Sequence, residues 1–309
     1  MTFTQLEIFA LIAELKSFTA TAEKLGISQS AVSHALKSLE QQWGINLISR
    51  TQSDIELTTT GQQLLTHVKE LLSISDTLEK EVAAIHGLNE GTLRIGSFGA
   101  SSSIYLLPEI LEAFRQCYPK IEIYIDEGED KEVAQWLLER RIEVGFLIMP
   151  DERFDTFPLI EDRFVALIPS GYPLAQQLYI DPAQLENCPF IMTMAGSRHQ
   201  VELILKNFNV KPDIKFYVSQ ILSIVSMVHN QLGISIVSDM VITKELLSLY
   251  PNVVKRPFKP NLKRSIGLAV KNKKHISPAV KAFIEVAQEV WSDPVSYTHL
   301  TLPTTNLGC

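Results

Sequence analysis

The sequence predicts an α+β chain of several domains: a small helical domain with a two-stranded wing, a long connecting helix, and an α/β region of two subdomains. Three observations support this prediction. Two short helical patterns meet at a glycine turn near the amino end, an apolar heptad repeat follows, and strand and helix patterns alternate from Thr92 onwards. The 309 residues, 46% of them hydrophobic, suffice for about two domains with sizeable cores.

The two short helical patterns lie in the run FTATAEKLGISQSAVSHALKSLE, from Phe18 to Glu40. Gly26 suits the left-handed residue that ends the first helix, and Ser28 suits the N-cap of a second helix that begins at Gln29. The apolar residues of this second helix recur at helical spacing and are predicted to face inward: Val32, Leu36 and Leu39. A helix with small polar side chains at its outward start suits insertion into the major groove of DNA. The segment is therefore interpreted as a helix-turn-helix.

The outward face of the second helix carries the side chains that we predict to contact DNA bases: Gln29, Ser30, Ser33 and His34. Contacts to phosphates are predicted at Lys37, Arg50 and Thr58. Helix pairs with a glycine turn also occur in many proteins that never bind nucleic acid, so this pattern alone leaves both interpretations open. The net charge of −7 shows no basic surface in bulk, but phosphate contacts need only local positive charge.

The flanking segments complete the pattern. QLEIFALIAELKSF precedes the helix pair and carries an apolar helix face. After the pair, apolar residues on either side of a predicted turn at Thr51–Asp54 indicate the two strands of a wing: Ile45, Leu47, Ile48, Ile55 and Leu57. The run SFTATAEKLGISQSAVSHALKSLEQQWGINLISRT…IELTTTGQQLL resembles the N-terminal domain of LysR-type transcriptional regulators over nearly all of the first 66 residues. The sequence departs from that family at Ser30, His34 and Trp43, which concerns base preference and not the docking mode.

A heptad-like apolar repeat occupies much of residues 61–90. Its members are separated by four or three residues, with Ser75 as the polar interruption: Leu64, Val68, Leu71, Leu78, Val82 and Ile85. We predict a long linker helix that pairs with a second copy of the chain, and a helix packed only on its own core is the alternative. The resemblance implies that linker helices pair antiparallel and that a homodimer can assemble further into a homotetramer.

Beyond Thr92, alternating strands and helices predict α/β units with mainly parallel sheets. Phe164–Pro169 and Ser265–Val270 bracket the middle portion and predict two crossing strands between two subdomains. Matches at LRIG, LLP, IPSGYPLA and QLGISIVSD resemble the regulatory domain of the same family, which implies a fold like that of periplasmic binding proteins with an effector between the subdomains.

These patterns give the following domain prediction: a winged helix-turn-helix domain at 1–60, a linker helix at 61–90, and an effector-binding domain at 91–293, with subdomain I at about 92–163 and 266–292 and subdomain II at about 164–265. The tail 294–309 is rich in Thr and continues none of these patterns. We expect it to be disordered and treat it as a candidate non-native extension.

Residues that follow strands are candidates for an effector site, because open α/β folds bind ligands at the carboxyl ends of strands. Three segments rich in polar groups follow strands, and their predicted effector contacts are Ser101, Ser102, Ser103, Thr193, Ser197, Arg198, Ser219 and Gln220. His199 is a further charge partner or a solvated surface residue. Plain helix N-capping explains each serine singly, whereas the set predicts a cleft for a small organic acid or amino acid.

Motifs of catalysis and metal binding are missing from the sequence: it has no GxSxG, GxGxxG, HExxH or CxxC. We predict no catalytic residue, no metal site and no cofactor, with double-stranded DNA and a small-molecule effector as partners. No apolar run is long enough to span a membrane and the first residues lack the features of a secretory signal, so a cytoplasmic location without membrane contact is expected. The alternatives are a cytoplasmic small-molecule-binding protein of solute-binding fold without a regulatory role, or an enzyme built on the same α/β halves.

Overall fold

The computed structural model of the chain describes residues 1–50, 55–84, 91–194 and 196–291. The chain divides into two compact units, Met1–Ala83 and Ala84–Cys309. Within the described ranges, no helix combines the length and the apolar character needed to cross a membrane.

Helices and a two-stranded wing make up the first unit: α1 (Phe3–Leu15), α2 (Phe18–Leu25), α3 (Gln29–Trp43), β1 (Ile48–Arg50), β2 (Ile55–Leu57) and α4 (Thr59–Ala84). The hydroxyls of Thr2, Ser17 and Ser28 each accept a backbone N–H from the first turn of the helix that follows. Gly26 ends α2 with φ +64°, and the predicted inward residues of α3 are fully buried. The predicted helix-turn-helix is therefore present.

The wing is shorter than the sequence pattern indicates. β1 pairs antiparallel with β2, with Ile48 opposite Leu57, whereas Ile45 lies before the strand because its N–H bonds the Glu40 carbonyl at the end of α3. The Glu40 carboxylate also accepts the N–H groups of Leu47 and Ile48, at 2.7 and 3.2 Å. This side chain ties the wing to α3. The predicted turn at 51–54 lies outside the described residues.

Two environments follow one another along α4. Val68 is buried in the core of the first unit, and Leu64 packs against that core. The start of the helix therefore packs on the core of its own chain, which was the alternative to pairing with a second copy. Farther along, the seam residues Leu71, Leu78 and Val82 are 44%, 60% and 52% exposed. Ile85 lies outside the described residues.

Strands and helices alternate in the second unit: β3 (Gly91–Phe98), a π-helical turn (Ser101–Leu106), α5 (Leu107–Cys117), β4 (Ile121–Gly128), α6 (Asp130–Leu138), β5 (Val144–Met149), β6 (Asp155–Pro169), β7 (Pro189–Thr193), α7 (Arg198–Asn207), β8 (Asp213–Val218), α8 (Ile221–His229), β9 (Ser235–Ser238), α9 (Lys244–Ser248), β10 (Val253–Pro257), β11 (Lys263–Val270) and α10 (Pro278–Trp291). Short 3-10 turns lie at Pro173–Gln176, Pro182–Leu185 and Lys273–His275.

The main sheet has the strand order β10-β6-β11-β5-β3-β4, and β9 also pairs with β6. β3 runs parallel to β4 and β5, as predicted, and β7 forms a separate parallel pair with β8. β6 and β11 pair antiparallel with each other and with their outer neighbours, so the sheet is more mixed than the alternation predicts.

The β6 strand is the long element of this unit. It begins at Asp155, well before the predicted segment at Phe164, because its first half pairs with β11. Ile160 belongs to the core around β3, α5 and α10, while Phe164 and Ala166 belong to the core around β7 and α7. β6 therefore runs from one core to the other, and β11 pairs with it at the point where it passes between them.

Candidate functional sites

The first candidate site is the outward face of α3. Gln29, Ser30, His34 and Lys37 are exposed, and Ser33 is partly exposed. The Ser28 hydroxyl caps the helix through Ala31 N–H at 3.2 Å and lies 2.9 Å from the Ser30 hydroxyl. The start of α3 is thus a rigid, capped turn that presents short polar groups and a basic side chain to solvent.

Thr58 has a different environment from the other predicted phosphate contacts. Its hydroxyl donates to the Asn46 carbonyl at 2.8 Å and accepts Gly61 N–H at 2.9 Å, so it caps α4. The hydroxyl bonds the backbone in this structure, and a phosphate contact at Thr58 stays a prediction. Lys37 remains exposed. Arg50 ends β1, and its side chain lies outside the described part of the structure.

The serines after β3 form the second candidate site. Ser102 is fully buried: its hydroxyl donates to the Phe98 carbonyl at 2.6 Å and accepts Phe98 N–H at 2.9 Å and the Ser97 hydroxyl at 2.9 Å. Ser103 donates to the Ser97 hydroxyl at 2.8 Å. These two serines tie the end of β3 to the π-helical turn. Their hydroxyls are used inside the fold in this structure, and their assignment as effector contacts stays a prediction.

Ser101 belongs to a buried polar network centred on a residue that the sequence analysis missed, Arg264. Arg264 donates from Nε to Asp162 at 2.8 Å, from Nη2 to Ser101 at 2.6 Å and from Nη1 to Ser197 at 3.0 Å. Ser238 donates to Asp162 at 2.7 Å and lies 3.3 Å from the Ser101 hydroxyl. We call these five residues the Arg264 cluster.

The Arg264 cluster lies where the two crossing strands meet. Arg264 of β11 stands directly opposite Asp162 of β6, and both side chains are 2% exposed. Phe98 and Phe164 place their rings 5.9 and 5.0 Å from the guanidinium carbon. Burial lowers the pKa of Arg264, while Asp162 and Asp130 act in the opposite direction. The sequence gives little sign of this, because an arginine at the start of a strand usually faces solvent.

The structure separates the eight predicted effector residues into two groups. Ser101, Thr193 and Ser197 line one small cavity, together with the backbone of Gly99 and Gly196. The described wall of this cavity does not include the remaining five: Ser102, Ser103, Arg198, Ser219 and Gln220. Arg198 pairs with Glu202 at 2.7 Å on the outside of α7, and this hydrogen bond raises its pKa. Ser219 and Gln220 are exposed at the start of α8.

The small cavity has a volume of about 20 Å³, room for little more than one water molecule. Gly196, with φ +45°, makes this closure possible: a Cβ atom there would lie 3.1 Å from the Cα of Gly99. The loops after β3 and β7 therefore touch, and the hydroxyls between them face Arg264.

A larger cavity of about 670 Å³ lies next to the cluster, with Arg264 and Phe164 in its wall. Apolar side chains supply much of its lining: Ala134, Leu147, Ile148, Met149, Pro150, Leu203, Ile204, Phe208 and Leu262. Charged and amide side chains supply the rest, among them Asp130, Lys131, His199 and Gln200. His199 was predicted as a charge partner or a solvated surface residue, and it lines this cavity. A cavity that combines apolar side chains with polar groups for orientation is a usual form of a small-molecule site.

Within the described ranges, no group of three or more His, Cys, Asp or Glu side chains is placed so that it could hold a metal ion. Several acidic residues between Asp126 and Asp130 bond to other groups of the protein. Asp126 pairs with Arg141 at 3.0 Å, and Glu129 and Glu132 form a capping box at the start of α6. The carboxylates of Asp126, Glu129 and Glu132 therefore serve the local structure.

Two family descriptions match the chain. "Bacterial regulatory helix-turn-helix protein, lysR family" matches residues 3–62, and "LysR substrate binding domain" matches residues 86–292. The first match disfavours a solute-binding protein without a regulatory role. The second agrees with the predicted fold like that of periplasmic binding proteins.

Similar proteins support the same family over the whole length. An uncharacterised HTH-type transcriptional regulator, YvbU of Bacillus subtilis, is 35% identical over 94% of this chain and 99% of its own. The probable HTH-type transcriptional regulator LrrA of Synechococcus elongatus is 33% identical over 94% of this chain and 97% of its own.

Solved structures have the same fold. A full-length variant of OxyR from Pseudomonas aeruginosa has a TM-score of 0.74 at 20% identity, over 94% of this chain and 97% of that one. HinK, a LysR family transcriptional regulator from the same species, has a TM-score of 0.56 at 27% identity, over 93% and 98%. The solved structures confirm the predicted fold class, and the two family matches with the similar regulators confirm the expectation of an effector-modulated, DNA-binding regulator that is not an enzyme. The chain belongs to the LysR family of bacterial transcriptional regulators.

Proposed function

We propose that this regulator acts in the cytoplasm, recognises its operator through the outward face of α3, and responds to a small organic acid or amino acid bound in its second unit. Gln29, Ser30, Ser33 and His34 are the proposed base contacts, with Lys37 and Arg50 at phosphates. The observation that carries this proposal is the capped start of α3, where these side chains lie on the solvent side while the opposite side is fully buried.

The short side chains on α3 support base reading in the major groove. Glutamine can bond an adenine edge with both amide atoms, and serine can donate to or accept from either member of a base pair. A neutral His34 gives one donor and one acceptor in place of the fixed donors of an arginine. The proposed contacts therefore favour a mixed base sequence over a run of guanines.

The effector half of the proposal rests on the second unit. The larger cavity lies against both crossing strands through Phe164 of β6 and Arg264 of β11. We propose domain boundaries at 1–60, 61–90 and 91–293, with two subdomains that meet at these strands. A ligand that prefers one angle between the subdomains shifts the population towards that angle, and its binding is then reciprocally coupled to DNA affinity.

Pairing of two chains through α4 is part of the same proposal. Leu71, Leu78 and Val82 follow one another at heptad spacing and are exposed along the helix. A seam of this kind is buried when two helices pair. We propose a homodimer through this seam, which can assemble into a tetramer, so that two α3 helices read two half-sites.

The operator is best found by selecting genomic DNA fragments on the full-length protein and measuring the recovered fragment by gel shift. Gln29→Ala with Ser33→Ala should weaken specific binding by about 2–4 kcal/mol, because two base contacts are lost. Gln41→Ala is a matched control: it removes an exposed glutamine at the far end of α3 and should leave the affinity unchanged. Unchanged operator affinity in the double variant would contradict the proposed docking of α3.

A further inference from the structure

The charges that line the larger cavity mostly cancel one another. Arg153 bonds Asp151 at 2.6 Å, Lys263 bonds Glu161 at 2.8 Å, and Arg264 bonds Asp162 at 2.8 Å. Each of these basic groups in the wall already has a carboxylate partner. At these three cations an acidic ligand would have to compete with the carboxylate partners, whereas Lys131 is a fourth cation of the wall and is exposed.

Asp130 is the carboxylate of this wall that no basic side chain pairs with in the described part of the chain. It lies half-buried at the first position of α6, and its hydrogen bond comes from an amide, Gln200 Nε2, at 3.3 Å. Burial lowers the pKa of Arg264, and the charge of Asp130 opposes that lowering, but the guanidinium donates its hydrogen bonds to other groups. Lys131 is exposed, so solvent screens its charge. Asp130 therefore presents a half-buried carboxylate acceptor to the cavity, and no ion pair in the described part of the chain occupies it.

Gln200 adds a second acceptor at the same place. Its Nε2 must face Asp130, because the reverse orientation would set two oxygens against each other. Its Oε1 is buried and has no hydrogen-bond partner among the described residues. A buried carbonyl oxygen without a donor is costly, so a ligand that donates a hydrogen bond is favoured there.

One part of the wall is apolar and suits an apolar ligand body. Met149, Leu203, Phe208 and Leu262 line the cavity, whose volume of about 670 Å³ exceeds that of any single amino acid. We infer that this cavity binds a ligand with a protonated amino group on an apolar body, held by Asp130 and the Oε1 atom of Gln200. This rests on the proposed function and narrows its effector class to amines and apolar amino acids.

The hydroxyl-lined cavity is the competing site for a ligand, and it would favour an acid. Its volume of about 20 Å³ is too small for an organic acid while the Arg264 cluster is intact. Ser101 and Ser197 already accept from Arg264, and Asp162 already balances its charge. An additional carboxylate would leave two negative charges around one guanidinium in a buried site, which is unfavourable.

Three probes with the same six-carbon length distinguish these ligand classes on the full-length protein: hexylamine, norleucine and hexanoate. Ligand-observed NMR and thermal unfolding measure their binding. We expect hexylamine and norleucine to bind with a dissociation constant on the order of 1 mM, and hexanoate to bind at least about tenfold more weakly. Hexanoate binding as tight as that of hexylamine, or binding of none of the three, would overturn the inference.

Two carboxylates of the same wall provide a matched pair of variants. Asp130→Asn should weaken hexylamine binding at least about tenfold, whereas Asp151→Asn, at a carboxylate already bonded to Arg153, should change it by no more than about twofold. Gln200→Leu removes the second acceptor and serves if Asp130→Asn does not fold. If Asp130→Asn and Gln200→Leu bound hexylamine as tightly as Asp151→Asn does, the proposed site would be contradicted.

Operator binding by the same preparations separates this inference from the proposed function. A protein that binds its operator but takes hexanoate instead of hexylamine remains a regulator, and the amine inference fails. A protein that binds hexylamine through Asp130 but selects no genomic fragment keeps the amine site and loses the proposed function.

Discussion

Serines predicted to bind partners occur in both units, and they have opposite environments. Ser30 and Ser33, on the outward face of α3, are exposed or partly exposed. Ser101 and Ser102, after β3, are buried and bond to other groups of the same unit. Residue type and position beside a helix start are alike in the two places. The difference lies in what the rest of the fold brings to them.

Helix periodicity determines the first environment, and distant chain segments determine the second. On α3, burial of Val32, Leu36 and Leu39 leaves the other side outward, whatever the remaining chain does. The partners of Ser101 are Ser238 and Arg264, which are 137 and 163 residues away in sequence. A pattern local to the chain therefore predicts exposure on a helix but not the use of a loop hydroxyl.

The largest expected effect tests whether the Arg264 cluster is structural. Arg264→Met leaves Asp162 buried without its counter-ion and removes the donor from Ser101 and Ser197. We expect the free energy of unfolding of the second unit to fall by about 3–5 kcal/mol in urea denaturation of the full-length protein. A loss of this size would show that the bonds between Arg264 and these serines contribute to the stability of the second unit.

Arg163→Met is the control for this variant. Arg163 is the neighbour of Asp162 on β6 and pairs with Asp239 at 2.7 Å, but its side chain is 50% exposed. Its loss should cost no more than about 1 kcal/mol. Equal effects of the two substitutions would show that burial of the Arg264 pair carries no special weight.

The local features of the first unit were predictable from sequence. The spacing of Val32, Leu36 and Leu39, the cap at Ser28 and the left-handed Gly26 are each properties of a few neighbouring residues. The role of Thr58 was not predictable in this way. Its hydroxyl bonds the Asn46 carbonyl 12 residues earlier, a contact that exists only once the wing has folded back.

The second unit was predictable as an alternation of elements but not as a site. Buried runs such as Val144–Met149 identify strands, yet the sequence pattern placed only the second half of β6. Its first half alternates less clearly, since most of its first five residues are half-buried, and it is placed by its pairing with β11. Asp162 and Arg264 stand opposite each other through that same pairing, so their buried ion pair depends on a register that no local pattern reports.

A smaller effect separates the two groups of serines directly. Ser102→Ala removes the group that bonds both the N–H and the carbonyl of Phe98, and leaves these buried groups without that partner. We expect a loss of about 1–3 kcal/mol in the free energy of unfolding. Ser30→Ala on α3 should change stability by no more than about 0.5 kcal/mol while it weakens operator binding. Matched stability losses in the two variants would erase the contrast between the two units.

The smallest effect concerns Asp239, which follows Ser238 of the Arg264 cluster and is more exposed than the residues of that cluster. Its carboxylate accepts a hydrogen bond from Arg163 at 2.7 Å and forms an ion pair with Lys255 at 2.6 Å. Burial raises the pKa of Asp239, but the hydrogen bonds and charges of Lys255 and Arg163 together lower it by more. The pKa of Asp239 therefore lies below its ordinary value. A lowered pKa in the folded state contributes stability above the unfolded value of about 4, and this contribution disappears as the pH falls through the folded value.

Asp239→Asn removes that contribution at every pH. The stability difference between the parent protein and this variant should be about 1 kcal/mol near pH 7 and should shrink towards zero as the pH falls below about 4, measured by urea denaturation. A difference that stays constant down to about pH 3 would mean that Asp239 gains nothing from its charge. In that case the partly exposed ion pair beside Ser238 would be held by packing, and the contrast with the buried Arg264–Asp162 pair would be one of geometry and not of electrostatics.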